Sequence, residues 1–202
     1  MAIKLPPKHP AESVILARTS QDVCERASRV RLMIFDVDGV LTDGSLYYGE
    51  HGEAIKRFHA LDGFGMRMLQ ESGIQVCLMT GRDSPILARR AADLGIADLQ
   101  QGVRNKSAAL STLAQQYNLE LDQVGFMGDD VIDLAAMQRV GFAASVPEAP
   151  SYIAQAAHWL SKRAAGNGAA RECCDLILAA QGRLGGFLVG HNRTPLTSGS
   201  PQ

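Results

Sequence analysis

Leu32-Met33-Ile34-Phe35-Asp36-Val37-Asp38-Gly39-Val40-Leu41-Thr42 is the stretch that decides the fold. Its apolar run, Leu32 to Val37, reads as a strand covered on both faces, as the strands of a parallel sheet are. Two carboxylates two residues apart stand at its end, and Gly39 breaks it. Ligands of open α/β sheets lie beyond the carboxyl ends of the strands, so the acids sit where chemistry is expected. If the chain stays extended there, Asp36 and Asp38 share a face and point into one crevice. Like charges that close repel one another. A divalent cation on one carboxylate and a proton on the other would relieve them. The plain alternative is an acidic turn, since Asp and Gly are ordinary turn residues. The longer pattern DxDGVLT after an apolar strand argues against it.

Upstream, residues 1–12 are rich in proline and lysine and are expected to be mobile. Val23, Cys24, Ala27 and Val30 then recur at helical spacing and predict a short helix between Ser20 and Val30. Downstream, Leu46-Tyr47-Tyr48 and Ile55-Lys56-Arg57-Phe58 flank Gly49-Glu50-His51-Gly52, a hairpin signature. A helix is expected over Gly63–Ser72, with Gly73 as its stop. Thereafter strands and helices alternate: strand Ile74–Met79; a helix capped by Asp83 or Ser84, with Pro85 in its first turn and Gly95 at its end; a short strand at Leu99 and Gln100; helix Ser107–Tyr117; strand Val124–Met127; helix Val131–Arg139; strand Phe142–Val146; and a last helix over Ala170–Gln181. This alternation predicts a parallel sheet with helices on both faces. The expected organisation is an N-terminal extension over residues 1–28, one α/β domain over 29–184 and a flexible tail over 185–202.

The 202 residues suffice for one such domain with a full core. A net charge of -1 without a long basic run gives no electrostatic support to nucleic-acid or membrane-surface binding. No apolar stretch approaches the roughly 20 residues needed to span a bilayer, and Pro6, Pro7 and Pro10 interrupt any signal-peptide pattern. Cys24, Cys77, Cys173 and Cys174 form no CxxC motif, and the histidines lack ligand spacing, which disfavours zinc. Buried thiols in a reducing cytoplasm are expected.

Three further signals fall at predicted strand ends. Thr80-Gly81-Arg82 leads into a helix N-terminus; a hydroxyl, a glycine amide and a helix dipole can cradle a phosphoryl group, although Thr-Gly here is more often only a turn. Lys106 follows a short strand and, taken alone, reads as a solvated loop lysine. Gly128-Asp129-Asp130-Val131-Ile132-Asp133 supplies acids that either complement a helix dipole or offer hard oxygen ligands to Mg²⁺.

In this order, at four strand ends, the signals resemble the haloacid dehalogenase-like phosphohydrolases, from Leu32 to about Gln181. Within that family the segments Phe35–Gly65, Leu78–Arg82, Gln101–Lys106, Gly128–Met137 and Gly166–Glu172 are similar to a small cap-less branch acting on a phosphorylated 2-keto-3-deoxy sugar acid. The resemblance implies a Rossmann-like parallel sheet, with a small β-hairpin insertion after the first strand in place of a large cap. It implies Asp36 as nucleophile and Asp38 as general acid and base, kept protonated partly by Asp36. Thr80 and Gly81 would grip the phosphoryl group, Lys106 would offset its charge, and Mg²⁺ would be held by Asp36, the Asp38 carbonyl and Asp129. Asp130 and Asp133 would orient waters, the lysine and ligands.

Substrate contacts are expected from Arg82, whose pairing with Asp83 or capping of the helix is an equal alternative, from His59, Asp62 and Gly63, and, across a subunit interface, from Arg171 with Glu172 beside it. A homotetramer whose neighbouring subunits close the site is also implied. Ala165-Gly166-Asn167-Gly168 departs from the Gly-Gly-x-Gly run of that branch. Rival readings are a phosphatase of a nine-carbon keto acid phosphate or another phosphomonoester, a receiver domain, and a non-catalytic domain of the same fold. Asp38 argues against the receiver, and the retained acids argue against the inert domain.

Overall fold

In the computed structural model, which describes residues 9–189, β1 (Leu32–Phe35) runs through the middle of a six-stranded parallel sheet. Its neighbours are β4 (Gln75–Met79) on one side and β6 (Val124–Met127) on the other, in register from Leu32 against Gln75 and Val124. The hairpin strands β2 (Tyr47–Gly49) and β3 (Gly52–Ile55) form a separate antiparallel pair. Beyond β4 lies β5 (Asp98–Gln100); beyond β6 lie β7 (Phe142–Ser145) and β8 (Trp159–Leu160), giving the order β5-β4-β1-β6-β7-β8. The chain builds outward from β1 in one direction and then in the other. The carboxyl end of β1 is therefore the switch point at which α/β sheets bind ligands.

Alternation along β1 shows why this run is apolar throughout. Met33 and Phe35 enter one core, and Leu32 and Ile34 enter the other. The first core packs under α2 (Gln21–Arg29), α3 (Ala60–Glu71), α4 (Pro85–Leu94) and α8 (Ala169–Ala180). The second packs under α5 (Lys106–Gln116), α6 (Val131–Met137) and α7 (Ser151–Ala156). A strand with helices on both faces has no solvent side on which to place polar residues.

Several expectations shift. Residues 10–12, expected to be mobile, open a helix, α1 (Pro10–Ala17), with Pro10 in its first turn, where a missing N–H costs nothing. Glu12 is buried on it, accepting the backbone N–H of His9 and that of Gly185. Gly185 lies in α9 (Leu184–Leu188), so the start of the expected tail is helical here. Residues 1–8 and 190–202, the rest of those two expectations, lie outside the described residues. The helix expected to run to Arg139 ends at Met137, and α3 begins three residues earlier than expected, at Ala60. The second hairpin strand is Gly52–Ile55, which leaves Lys56 and Arg57 just beyond it. The chain does not stay extended past Asp36: the amides of Val40, Leu41 and Thr42 all return to the Val37 carbonyl.

Candidate active site

Asp36, Thr80, Lys106 and Asp129 converge from four loops at the carboxyl edge of the sheet. Asp36 follows β1 directly and is 4 % exposed. Lys106, the first residue of α5, is 2 % exposed, and its Nζ donates to Asp36 and to Asp133 at 2.6 Å each. Asn105 caps α5 by accepting the amide of Ala108, which fixes where the lysine starts. Lys106 is thus a buried ion-pair centre rather than a solvated loop residue. Burial opposes its charge, but Asp36 and Asp133 outweigh that and hold the ammonium above its ordinary range.

Asp133 has both oxygens engaged. Oδ1 accepts from Lys106, and Oδ2 accepts the amides of Asp129 and Asp130 at 3.1 and 3.2 Å. It thereby orients the lysine and the fourth loop together. Asp130 does neither: it is exposed, and its carboxylate caps α6 at the Val131 amide, 2.7 Å away. In the structure Asp130 turns its side chain back onto its own helix as a cap.

Carboxylate oxygens of Asp36, Asp129 and Asp133 lie within 4.8 Å of one another. Three acids against one ammonium leave excess negative charge in a buried place. Burial, then Asp133, pushes Asp36 up to about 6, and burial with Asp36 and Asp133 pushes Asp129 up to about 8. Asp129 Oδ1 is buried with no hydrogen-bond partner among the described residues. An orphaned carboxylate oxygen beside two more acids fits a hard divalent cation. Gly39, at φ 95°, lies against that carboxylate so closely that a Cβ would collide with it.

Asp38 meets different company from the sequence expectation. The groups facing it are Lys56, ion-paired to Oδ1, Thr80 Oγ1 at 3.4 Å from Oδ2, and Arg82 Nε at 4.0 Å, not Asp36. Thr80 also accepts the Arg82 amide at 3.1 Å, tightening the loop after β4, where Gly81 is exposed. Arg82 pairs with neither Asp83 nor the helix end. Its guanidinium donates to Tyr48 Oη at 2.7 Å, stacks over that ring and lies 3.8 Å from Glu53. Lys56, Glu53 and Tyr48, all brought by the hairpin, were not legible as site residues; on an exposed strand pair their types look like ordinary surface.

The other predicted substrate residues do not join this cluster within one chain. His59 caps α3 through Nδ1. Asp62, 2 % exposed, accepts the amides of Gly168 and Arg171 and so ties α3 to the start of α8. Gly63 lets Arg90 pack against the helix. Arg171 pairs with Asp175 at 2.8 Å and lies over Phe64; Glu172 accepts the amides of Lys162 and Arg163. Gly166, at φ 59°, packs on the first loop, where a Cβ would lie 2.5 Å from the Thr42 carbonyl carbon. Ser145, also missed, donates to the Gly128 carbonyl at 2.6 Å and holds the fourth loop from β7.

Residues 94–172 match the haloacid dehalogenase-like hydrolase family. The 3-deoxy-D-manno-octulosonate 8-phosphate phosphatase KdsC of Escherichia coli (strain K12) is 42% identical over 165 residues, covering 82% of this chain and 88% of that protein. The chain belongs to the KdsC branch of the haloacid dehalogenase-like hydrolases. The cobalt-bound Haemophilus influenzae phosphatase of this branch is 44% identical, with a TM-score of 0.78 over 80% of this chain and 95% of that one. The Moraxella catarrhalis phosphatase, solved with magnesium, phosphate and KDO, is 37% identical, with a TM-score of 0.81 over 83% and 97%. Membership makes this chain a hydrolase and agrees with a divalent cation at its carboxylates. Among the described residues no helix is long and apolar enough to cross a membrane.

Proposed function

We propose that the protein is a Mg²⁺-dependent phosphatase that hydrolyses 3-deoxy-D-manno-octulosonate 8-phosphate to the free keto acid and phosphate, a step in making lipopolysaccharide precursors. The observation that carries this is the Asp36–Lys106–Asp133 centre with the orphaned Asp129 oxygen beside it, set in a KdsC-branch chain.

Asp36 attacks phosphorus; its oxygen–phosphorus bond forms as the ester bond to the sugar oxygen breaks. Asp38, whose carboxylate pairs with Lys56, takes up a proton before the reaction and gives it to the departing sugar oxygen. Water then attacks the aspartyl phosphate, Asp38 takes the water's proton, and phosphate leaves with Asp36 restored. Thr80 and the exposed Gly81 amide receive phosphoryl oxygens, and Lys106 offsets charge that grows in the transition state. The cation would be held by Asp36, Asp129 and the Asp38 carbonyl, since both oxygens of Asp133 are already engaged. When bound, Mg²⁺ neutralises and orients phosphoryl oxygens. Arg82 suits the carboxylate of a keto acid, because a guanidinium binds that group bidentately.

Cys24, Cys77, Cys173 and Cys174 form no disulfide among the described residues, which supports a cytoplasmic setting. Exposed Leu46, Tyr47, Tyr48 and Ile55 on and around the hairpin support burial in a homotetramer.

Phosphate release from a panel including the eight-carbon and nine-carbon keto acid phosphates tests the reading, with Mg²⁺ or EDTA. A metal-dependent preference for the eight-carbon ester, lost by roughly 10⁴-fold or more in Asp36→Asn, is expected. Preference for another ester would discard the substrate and keep the chemistry.

A further inference from the structure

The hairpin carries a polar clasp that the reaction scheme above does not use. Glu53, on β3, is the hub. One of its oxygens accepts the Ser84 hydroxyl at the N-cap of α4, and the other lies 3.1 Å from Lys56 Nζ and 3.8 Å from Arg82. Lys56, one residue past the end of β3, has a side chain only 3 % exposed and reaches Asp38 Oδ1. Thr80 Oγ1 faces the other Asp38 oxygen. The hairpin is otherwise poorly buried: Tyr48 and Ile55 are 63% and 61% exposed. A lysine almost wholly removed from water at the base of an exposed hairpin, paired to two carboxylates, is not a solubilising residue. Lysine is among the side chains most seldom buried unless paired, and fixing it costs conformational entropy.

We infer that Lys56 and Glu53 are positioning residues for Asp38: Lys56 fixes the Asp38 carboxylate by one oxygen, and Glu53 fixes Lys56 while anchoring the hairpin to the phosphate loop through Ser84 and Arg82. Asp38 follows the turn at Val37, and among the described residues its carboxylate is met by the side chains of Lys56, Thr80 and Arg82, whereas Asp133 accepts two backbone amides. Its direction is therefore set by the hairpin on one side and Thr80 on the other. A misaimed acid loses proton transfer to the leaving oxygen while phosphoryl binding at Thr80, Gly81 and Lys106 survives.

The inference rests on Asp38 being the general acid, and the experiment separates the two claims. Lys56→Met, Glu53→Gln and Asp38→Asn are compared by kcat/KM on 3-deoxy-D-manno-octulosonate 8-phosphate and on p-nitrophenyl phosphate, in the intact Mg²⁺-loaded protein. The sugar alkoxide is a poor leaving group that needs a proton; the nitrophenolate leaves with little help. Asp38→Asn should lose roughly 10²–10⁴-fold on the sugar phosphate and far less on the aryl phosphate. Lys56→Met should show the same split at roughly tenfold or more, Glu53→Gln a weaker version, and Lys56→Met should add nothing in the Asp38→Asn background. Equal losses on both esters, or none, in the Lys56 and Glu53 variants would overturn the positioning role. A split absent from Asp38→Asn itself would instead overturn the reading of Asp38 as acid, and this inference with it.

Discussion

At the floor of the site Asp36, Lys106 and Asp133 are buried and held by loops of the sheet itself, whereas at the rim Asp38 is held by Lys56 from the base of an exposed hairpin and faces Arg82 of the loop after β4. The floor is fixed by desolvation. A charge there has no water to fall back on, so each group must keep its partner. The rim is fixed by docking: the hairpin brings Lys56, itself almost wholly buried, onto Asp38. One site thus combines a floor held by the sheet with an acid held by a docked hairpin, and the two halves should fail differently.

The largest expected difference is at Lys106. Lys106→Met leaves Asp36 and Asp133 buried without their cation, and breaking such a pair costs about 3–5 kcal/mol. Urea unfolding at pH 8 should show a loss of that order together with loss of turnover. At pH 5, below the value of about 6 to which Asp36 is pushed, Asp36 can take a proton and the stability loss should shrink. A stable, inactive variant with no such pH dependence would mean the floor is not held by that ion pair.

Next is the response to metal. Asp129 is pushed up to about 8 and Asp36 up to about 6, so the folded protein binds these protons more tightly than the unfolded chain does. Metal-free stability should therefore decline as pH rises from about 4, through 6 for Asp36 and on to 8 for Asp129. Mg²⁺ competes with those protons, so the rise in Tm on adding it should grow from pH 6 to pH 8. A rise independent of pH would place the cation elsewhere.

The smallest expected effect is at Asp130. As a helix cap, Asp130→Ala should cost about 1 kcal/mol in thermal or urea unfolding and change kcat less than about threefold. A tenfold loss of kcat with unchanged stability would return Asp130 to the floor.

How much the residues announced follows the same division. The strands that place the floor are continuous apolar runs in the sequence, and the acids, threonine and lysine stand at their ends. Two-faced burial leaves a strong imprint: β4, β6 and β7 appear within a residue of their expected bounds, while β1 ends at Phe35, two residues before the expected Val37. Edge strand β8 has two residues and α7 has six, too short to show a period. Pro10 looks like a breaker but serves as a helix start. Lys56 and Glu53 were invisible because an alternating charged hairpin is what any solvated hairpin looks like; only the fold brings them to Asp38. Within one chain Asp62 and Arg171, close to helix termini, join α3 to α8, a use of polar residues that spacing alone does not separate from ligand binding.

Gly39 and Asp129 are ninety residues apart, yet the missing side chain of one is the space occupied by the other. A side chain at position 39 would have to push the Asp129 carboxylate out of its place, and a φ of 95° there already favours glycine. The first loop and the fourth are shaped against each other.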